Sequence, residues 1–292
     1  MFKWFTSLLE KREMLLFKTF LQVTLVTGAV CSLVYFGFFD KVNVELGYKH
    51  YAEETILIQW LPALRHILRM PLNTLVCIGY LVVGIHWLIH TEDLVEEKSL
   101  MYTDGYVMTV FNWMSVFYGP LQCLRIVTQL HPFAVLDQWV TLPFFAWVVV
   151  WSVHCVRHNS QSWSTSIPVI CVGLSLSSYC LTLVCNYGFE ICLVIHIIAS
   201  VVAGLRAYKR FSNDESRSSL LKAIFCCFGF VLLKVYDLEM KKLHWVFSTI
   251  SGHFLSKICD IFQIHYVNSF FLNILITRYT TEKHKTLKKK TL

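Results

Sequence analysis

The chain has 292 residues, of which 55% are hydrophobic and 15% charged, and its mean hydropathy is +0.54. A soluble domain carries roughly 25% charged residues, so this composition excludes a large soluble core and predicts an all-α polytopic bundle of membrane helices. Net charge is +7, but no basic platform interleaved with aromatics accompanies it, which leaves the lipid bilayer as the expected partner and not nucleic acid.

Apolar runs at 17–39, 71–90, 106–129, 135–156, 167–185, 189–208, 219–237 and 248–277 predict about eight spans, each near the ~20 residues that cross ~30 Å of hydrocarbon. They make one integral membrane domain over 1–292, with a basic segment at 1–16, an uncleaved anchor as span one, a seven-helix core and a basic tail at 278–292. The link 40–70 is the longest. Within it Trp60, Leu61, Leu64, Ile67 and Leu68 fall on one side of a helix over 55–69, away from Arg65 and Arg69, as in an interfacial helix.

In span three, Gly119-Pro120 should loosen the helix, because proline removes one backbone bond and clashes with the carbonyl of Val116. Gln122 and Arg125 follow at once as expected partners for the freed groups. Asp137 is read at the start of span four, where it either complements the helix dipole or pairs with Arg125 or Lys257. Asn186-Tyr187-Gly188 makes a tight hairpin between spans five and six. Lys234 and Asp237 sit three residues apart at the end of span seven, where snorkelling is the simpler account. In span eight His253, Lys257 and Asp260 are spaced by four and then three residues. They share one helix face, Asn268 continues the stripe, and Lys257 can pair with Asp260. This group reads either as a neutralised lock between helices or as a ligand site.

Lysine and arginine set the orientation. Lys3, Lys11, Arg12 and Lys18 precede span one, Arg157 follows span four, Arg206, Lys209, Arg210, Arg217 and Lys222 bracket the link between spans six and seven, and Lys283, Lys285, Lys288, Lys289 and Lys290 follow span eight. With an even number of spans these share one side, so both termini are expected in the cytosol. Lys289 and Lys290 also fit a retrieval signal of the endoplasmic reticulum and Golgi. In that orientation Asn73, Gln122, Arg125, Asp137, Glu190, Lys234, Asp237, His253, Lys257 and Asp260 all lie toward the other face. An ionisable group in the bilayer core costs at least ~2.5–3.5 kcal/mol unless it pairs or reaches water, so their common level predicts a shared polar chamber.

No catalytic or nucleotide motif appears, and His86, His90, His154, His158 and His196 read as hydrogen-bonded structure and not as metal ligands. The 11 cysteines contain no C-x-x-C pair and lie mostly in apolar runs, so neither disulfides nor a metal cofactor is expected.

Several stretches resemble the vertebrate multi-pass family called transmembrane protein 187. They include Met70-Pro71-Leu72-Asn73-Thr74, Tyr118-Gly119-Pro120-Leu121-Gln122, Val135-Leu136-Asp137-Gln138-Trp139 and Gly252-His253-Phe254-Leu255-Ser256-Lys257-Ile258-Cys259-Asp260. The likeness runs from about residue 20 to 275 and implies an integral membrane protein without an assigned activity. A weaker similarity, carried by Asn73-Thr74, Asp137 and His253, reaches the alkaline ceramidases and adiponectin-type receptors. It implies a zinc-dependent membrane hydrolase, but Ser115 lacks its histidine partner and Lys257 stands where a second histidine is needed. The reading is therefore a non-enzymatic membrane protein whose polar chamber binds a lipid or stabilises the bundle. The alternatives are a hydrolase of lipid amides or esters and a transporter using Asp137, Lys257 and Asp260.

Overall fold

The computed structural model describes residues 2–55, 69–157 and 166–290. The expected interfacial helix at 55–69 lies outside them except for its two end residues, as does His158. Among the described residues there is no strand. The helices are α1 (Phe2–Tyr35), α2 (Pro71–Leu75), α3 (Cys77–Glu96), α4 (Tyr102–Thr128), α5 (His131–Val156), α6 (Ser166–Ser178), α7 (Gly188–Arg210), α8 (Asp214–Val235), α9 (Asp237–Leu243) and α10 (Gly252–Lys290). α2 and α3 make one rod bent at Val76, and a 3-10 turn prolongs α6 to Leu183.

Six rods are long and apolar enough to cross a membrane: Met14–Tyr35, Pro71–Glu96, His131–Val156, Ser166–Leu183, Gly188–Arg210 and Asp214–Val235. α4 and α10 have the length, 27 and 39 residues, without the apolar composition. The difference has a physical cause. Asp104, Asn112, Gln122 and Arg125 on α4, and His253, Lys257, Asn268 and Arg278 on α10, are buried against protein and not against lipid. These two helices are the polar axis of the bundle. Around them Leu25, Val82, Val169, Leu174, Phe225 and Phe228 point outward, each more than 60% exposed. An apolar surface of that extent belongs in hydrocarbon.

Packing fixes the axis at both ends. Trp151 of α5 stacks on Phe271 of α10 at 4.3 Å, with Phe111 of α4 beside it at 5.7 Å. At the other end Trp139 stacks on Tyr179 at 5.5 Å, and Phe39, just past α1, closes on Trp139 at 4.5 Å. α3 and α4 meet through glycine. A Cβ at Gly84 would stand 2.9 Å from the carbonyl oxygen of Asn112, and one at Gly119 2.9 Å from that of Cys77. Small residues allow such rods to touch along their backbones.

The start of α1 and the end of α10 share one end of the bundle, called here the tail end. Leu15 lies 3.5 Å from the Cβ position of Gly105, in the first turn of α4, and Arg278 reaches Asp104 in the same turn at 2.9 Å.

Candidate functional site

The centre of the site is Asp137. α5 begins at His131, with Pro132 favoured in the first turn, so Asp137 sits in the second turn and does not cap the helix. Its carboxylate forms an ion pair with Arg125 of α4 and accepts a hydrogen bond from the Tyr118 hydroxyl at 2.8 Å. Gln122 offers its amide oxygen to the same hydroxyl at 3.2 Å. Gln122 and Arg125 thus serve this cluster, not the Val116 carbonyl freed by Pro120. Helical spacing sets them on the inner face one and two turns from Tyr118, where a buried carboxylate is the stronger attractor.

Lys257 of α10 approaches from the other side. Its Nζ donates to the Tyr118 hydroxyl at 3.1 Å and lies between the rings of Tyr118, at 5.3 Å, and Phe230, at 5.6 Å. The Tyr118 hydroxyl and the neighbouring Phe230 ring hold a desolvated ammonium. Among the described residues no carboxylate oxygen lies within 4.0 Å of it. The expected Lys257–Asp260 pair is therefore replaced: Asp260 accepts from the Tyr80 hydroxyl at 2.6 Å. Sequence spacing places two side chains on one helix face, but nearby tyrosines on α3 and α4 offer each charge a closer partner. Further along the stripe Asn268 and Asn112 exchange two hydrogen bonds of 3.0 Å.

A second cluster lies beyond, at the end opposite the tails. Glu53 accepts from the backbone N–H groups of Leu72 and Asn73, at 2.8 and 2.9 Å, and from the Asn73 side chain at 2.6 Å. It caps α2, and burial pushes its carboxyl above its ordinary value against the pull of those donors. Asn73 also donates to Ser251 at 3.3 Å. Asp237 accepts from the N–H of His253 at 2.9 Å and of Ala52 at 2.8 Å, tying the first turn of α10 to the loop before α2. It does not pair with Lys234. Lys234 is half-buried, 6.0 Å from the Phe230 ring centre, with no carboxylate within 4.0 Å among the described residues. The His253 ring packs edge-on against Tyr51 at 4.9 Å, and its Nε2 has no hydrogen-bond partner among the described residues. Glu190 is exposed on the first turn of α7 and joins neither cluster.

The profile of the TMEM187 protein family matches residues 19–272. The chain belongs to the TMEM187 family. Bovine transmembrane protein 187 (Bos taurus) is 38% identical over 253 residues, covering 87% of this chain and 95% of the relative; the human protein (Homo sapiens) is 37% identical over 257 residues, covering 88% and 90%. No solved structure matches. The chain is an integral, multi-pass membrane protein.

This TMEM187 family member carries a third polar group, at the tail end, that the sequence did not reveal. Asp104 is fully buried and accepts from Arg278 Nη2 at 2.9 Å, from the Tyr279 hydroxyl and from His154. The Tyr279 hydroxyl also receives the N–H of Met101 at 3.0 Å. Apolar windows end at 106 and 277, which leaves Asp104 and Arg278 just outside them. The usable signal was an acid and a base at matching ends of two polar helices.

A small space and a larger one border the central cluster. The smaller, about 30 Å³, lies between Tyr80, Tyr118 and Asp260 and is the size of one water. The larger, about 480 Å³, is an apolar cleft between α1, α4, α5 and α6 that also touches Tyr118. The zinc centre implied by the weaker likeness does not fit. Among the described residues no three His, Cys, Asp or Glu side chains are placed to share an ion. Asp137 is engaged by Arg125 and Tyr118, and the Lys257 ammonium opposes a cation beside them. This donor set supports no metal-assisted hydrolysis.

Proposed function

We propose that the protein is a non-catalytic membrane protein that holds a lipid beside its internal polar network. The observation that carries the reading is the contrast between the two spaces. The charged groups of the central cluster are taken up by one another and by tyrosines, leaving room for about one water, whereas the space of ligand size, about 480 Å³, is apolar and meets that cluster at Tyr118. Binding sites for small molecules commonly measure ~300–1,000 Å³ and are mostly apolar with few polar groups. On this reading the network is the rigid wall of a lipid site, and both tails are cytosolic, as the lysine and arginine at the tail end favour.

The test is purification in mild detergent followed by lipid analysis. A lipid retained at about one per protein after extensive washing is the expected result; no retained lipid above the level of an unrelated bundle overturns the reading. Terminal epitopes accessible after selective permeabilisation of the plasma membrane check the orientation.

A further inference from the structure

We infer that the cleft accepts one hydrocarbon chain of an uncharged lipid, whose carbonyl or hydroxyl is received by Gln22; this rests on the lipid-binding reading above. The cleft follows α4 from Tyr106 to Leu121, about 22 Å at 1.5 Å per residue, so it is shaped for a chain and not for a headgroup. Its outer lip is formed by the exposed Leu25, Val26 and Val169, which opens it to surrounding lipid.

Among the described residues no charged side chain lines the cleft, and besides Thr27 and Tyr118 its polar groups are a pair toward the tail end. There the amide oxygen of Gln22 accepts from the Tyr106 hydroxyl at 2.9 Å. That bond fixes the amide, so its NH2 group is left with two donors and no acceptor among the described residues. Gln22 lies within the membrane-crossing length of α1, one helical turn past Lys18. An amide donor without an acceptor there costs several kcal/mol in hydrocarbon, and a ligand oxygen relieves it. An ionised head held at Gln22 would instead have to be desolvated with no cation among the described lining residues, the next base along α1, Lys18, being exposed one turn further toward the tail end. The surroundings thus select a neutral oxygen acceptor over a carboxylate or a phosphate.

The space also admits a clean obstruction. A Cβ added at Gly173, on the cleft wall, meets no atom within 4 Å. Gly173→Phe should therefore fill the cleft without disturbing the bundle, and Gln22→Leu should remove the donor and leave the space.

The experiment uses the full chain in nanodiscs and three photoreactive probes with the same diazirine chain: a monoacylglycerol, a fatty acid at pH 8 and a phosphatidic acid. Labelled peptides are mapped by mass spectrometry. The expected result is monoacylglycerol labelling within 22–30, 106–121 or 168–176. It should be largely abolished by Gly173→Phe and weakened about fivefold by Gln22→Leu, the worth of roughly one hydrogen bond. Labelling of the same peptides by the charged probes at equal or greater strength overturns the neutral-head assignment and leaves lipid binding standing. Saturable labelling elsewhere overturns the cleft assignment alone. No saturable labelling by any probe overturns both. Unchanged unfolding midpoints of the two variants show that lost labelling is not lost fold.

Discussion

Lys257 of α10 and Asp137 of α5 do not touch; the hydroxyl of Tyr118 stands between them, receiving Nζ at 3.1 Å and donating to the carboxylate at 2.8 Å. One tyrosine therefore joins three helices. Tyr118→Phe keeps the ring in place and removes the relay. Two buried charged groups each lose a hydrogen bond, at a cost of about 1–3 kcal/mol. The midpoint of thermal unfolding in detergent should fall. A double-mutant cycle with Lys257→Met should return a coupling of about 0.5–3 kcal/mol. Additive effects would show that the hydroxyl does not link them.

Arg125 and Asp137 form the ion pair at the middle of the same cluster, and both are buried. Arg125→Met strands a carboxylate away from water and should destabilise by about 3–5 kcal/mol, while Arg125→Met with Asp137→Leu should recover most of that loss. The comparison is made by unfolding in detergent. A double variant as weak as the single one would show that the charge left behind is not the cause.

These clusters separate what periodicity shows from what it conceals. Six of the eight expected spans were legible because a membrane demands ~20 residues of one character, and the face shared by His253, Lys257 and Asp260 followed from helical spacing. The partners did not follow. Lys257 was matched to Asp260 because the two are close in sequence, whereas Tyr118 and Tyr80 lie 139 and 180 residues from the groups they bind. Tyrosine reads as apolar in a hydropathy window, so its hydroxyl carries no sequence signal. Glu53 escaped for another reason. It lies in a loop, where an acid is ordinary, and only the fold brings it to the start of α2.

Glu53 makes a prediction about pH. Burial raises its carboxyl above the ordinary value, so the folded chain holds that proton more tightly than the unfolded chain. The resulting stabilisation is fully present below the unfolded value, near pH 4, and is lost as pH rises through the raised one. Glu53→Gln, which imitates the protonated form, should lose this component of the pH dependence. Glu53→Ala should destabilise at every pH by about 0.5–2 kcal/mol, because the N–H groups at the start of α2 lose their cap. Thermal unfolding of the three proteins between pH 4 and pH 8 decides the matter; parallel profiles for wild type and Glu53→Gln would remove Glu53 as the titrating group.

Asp104 closes the opposite end. It gathers Arg278, Tyr279 and His154 from α10 and α5 onto the first turn of α4, so it does for the tail end what Asp137 does for the centre. Asp104→Asn preserves the shape and removes the charge, taking the Asp104 carboxylate away from the buried guanidinium of Arg278. The expected cost is about 3–5 kcal/mol, and Arg278→Leu in the same chain should return part of it. The two ends should also respond separately, because stability is distributed in local units. In hydrogen exchange, Asp104→Asn should speed exchange over 99–106 and 275–281 and leave 70–76, held by Glu53, unchanged. Equal acceleration at both ends would mean that the bundle opens as a whole and that Asp104 is not a local clamp.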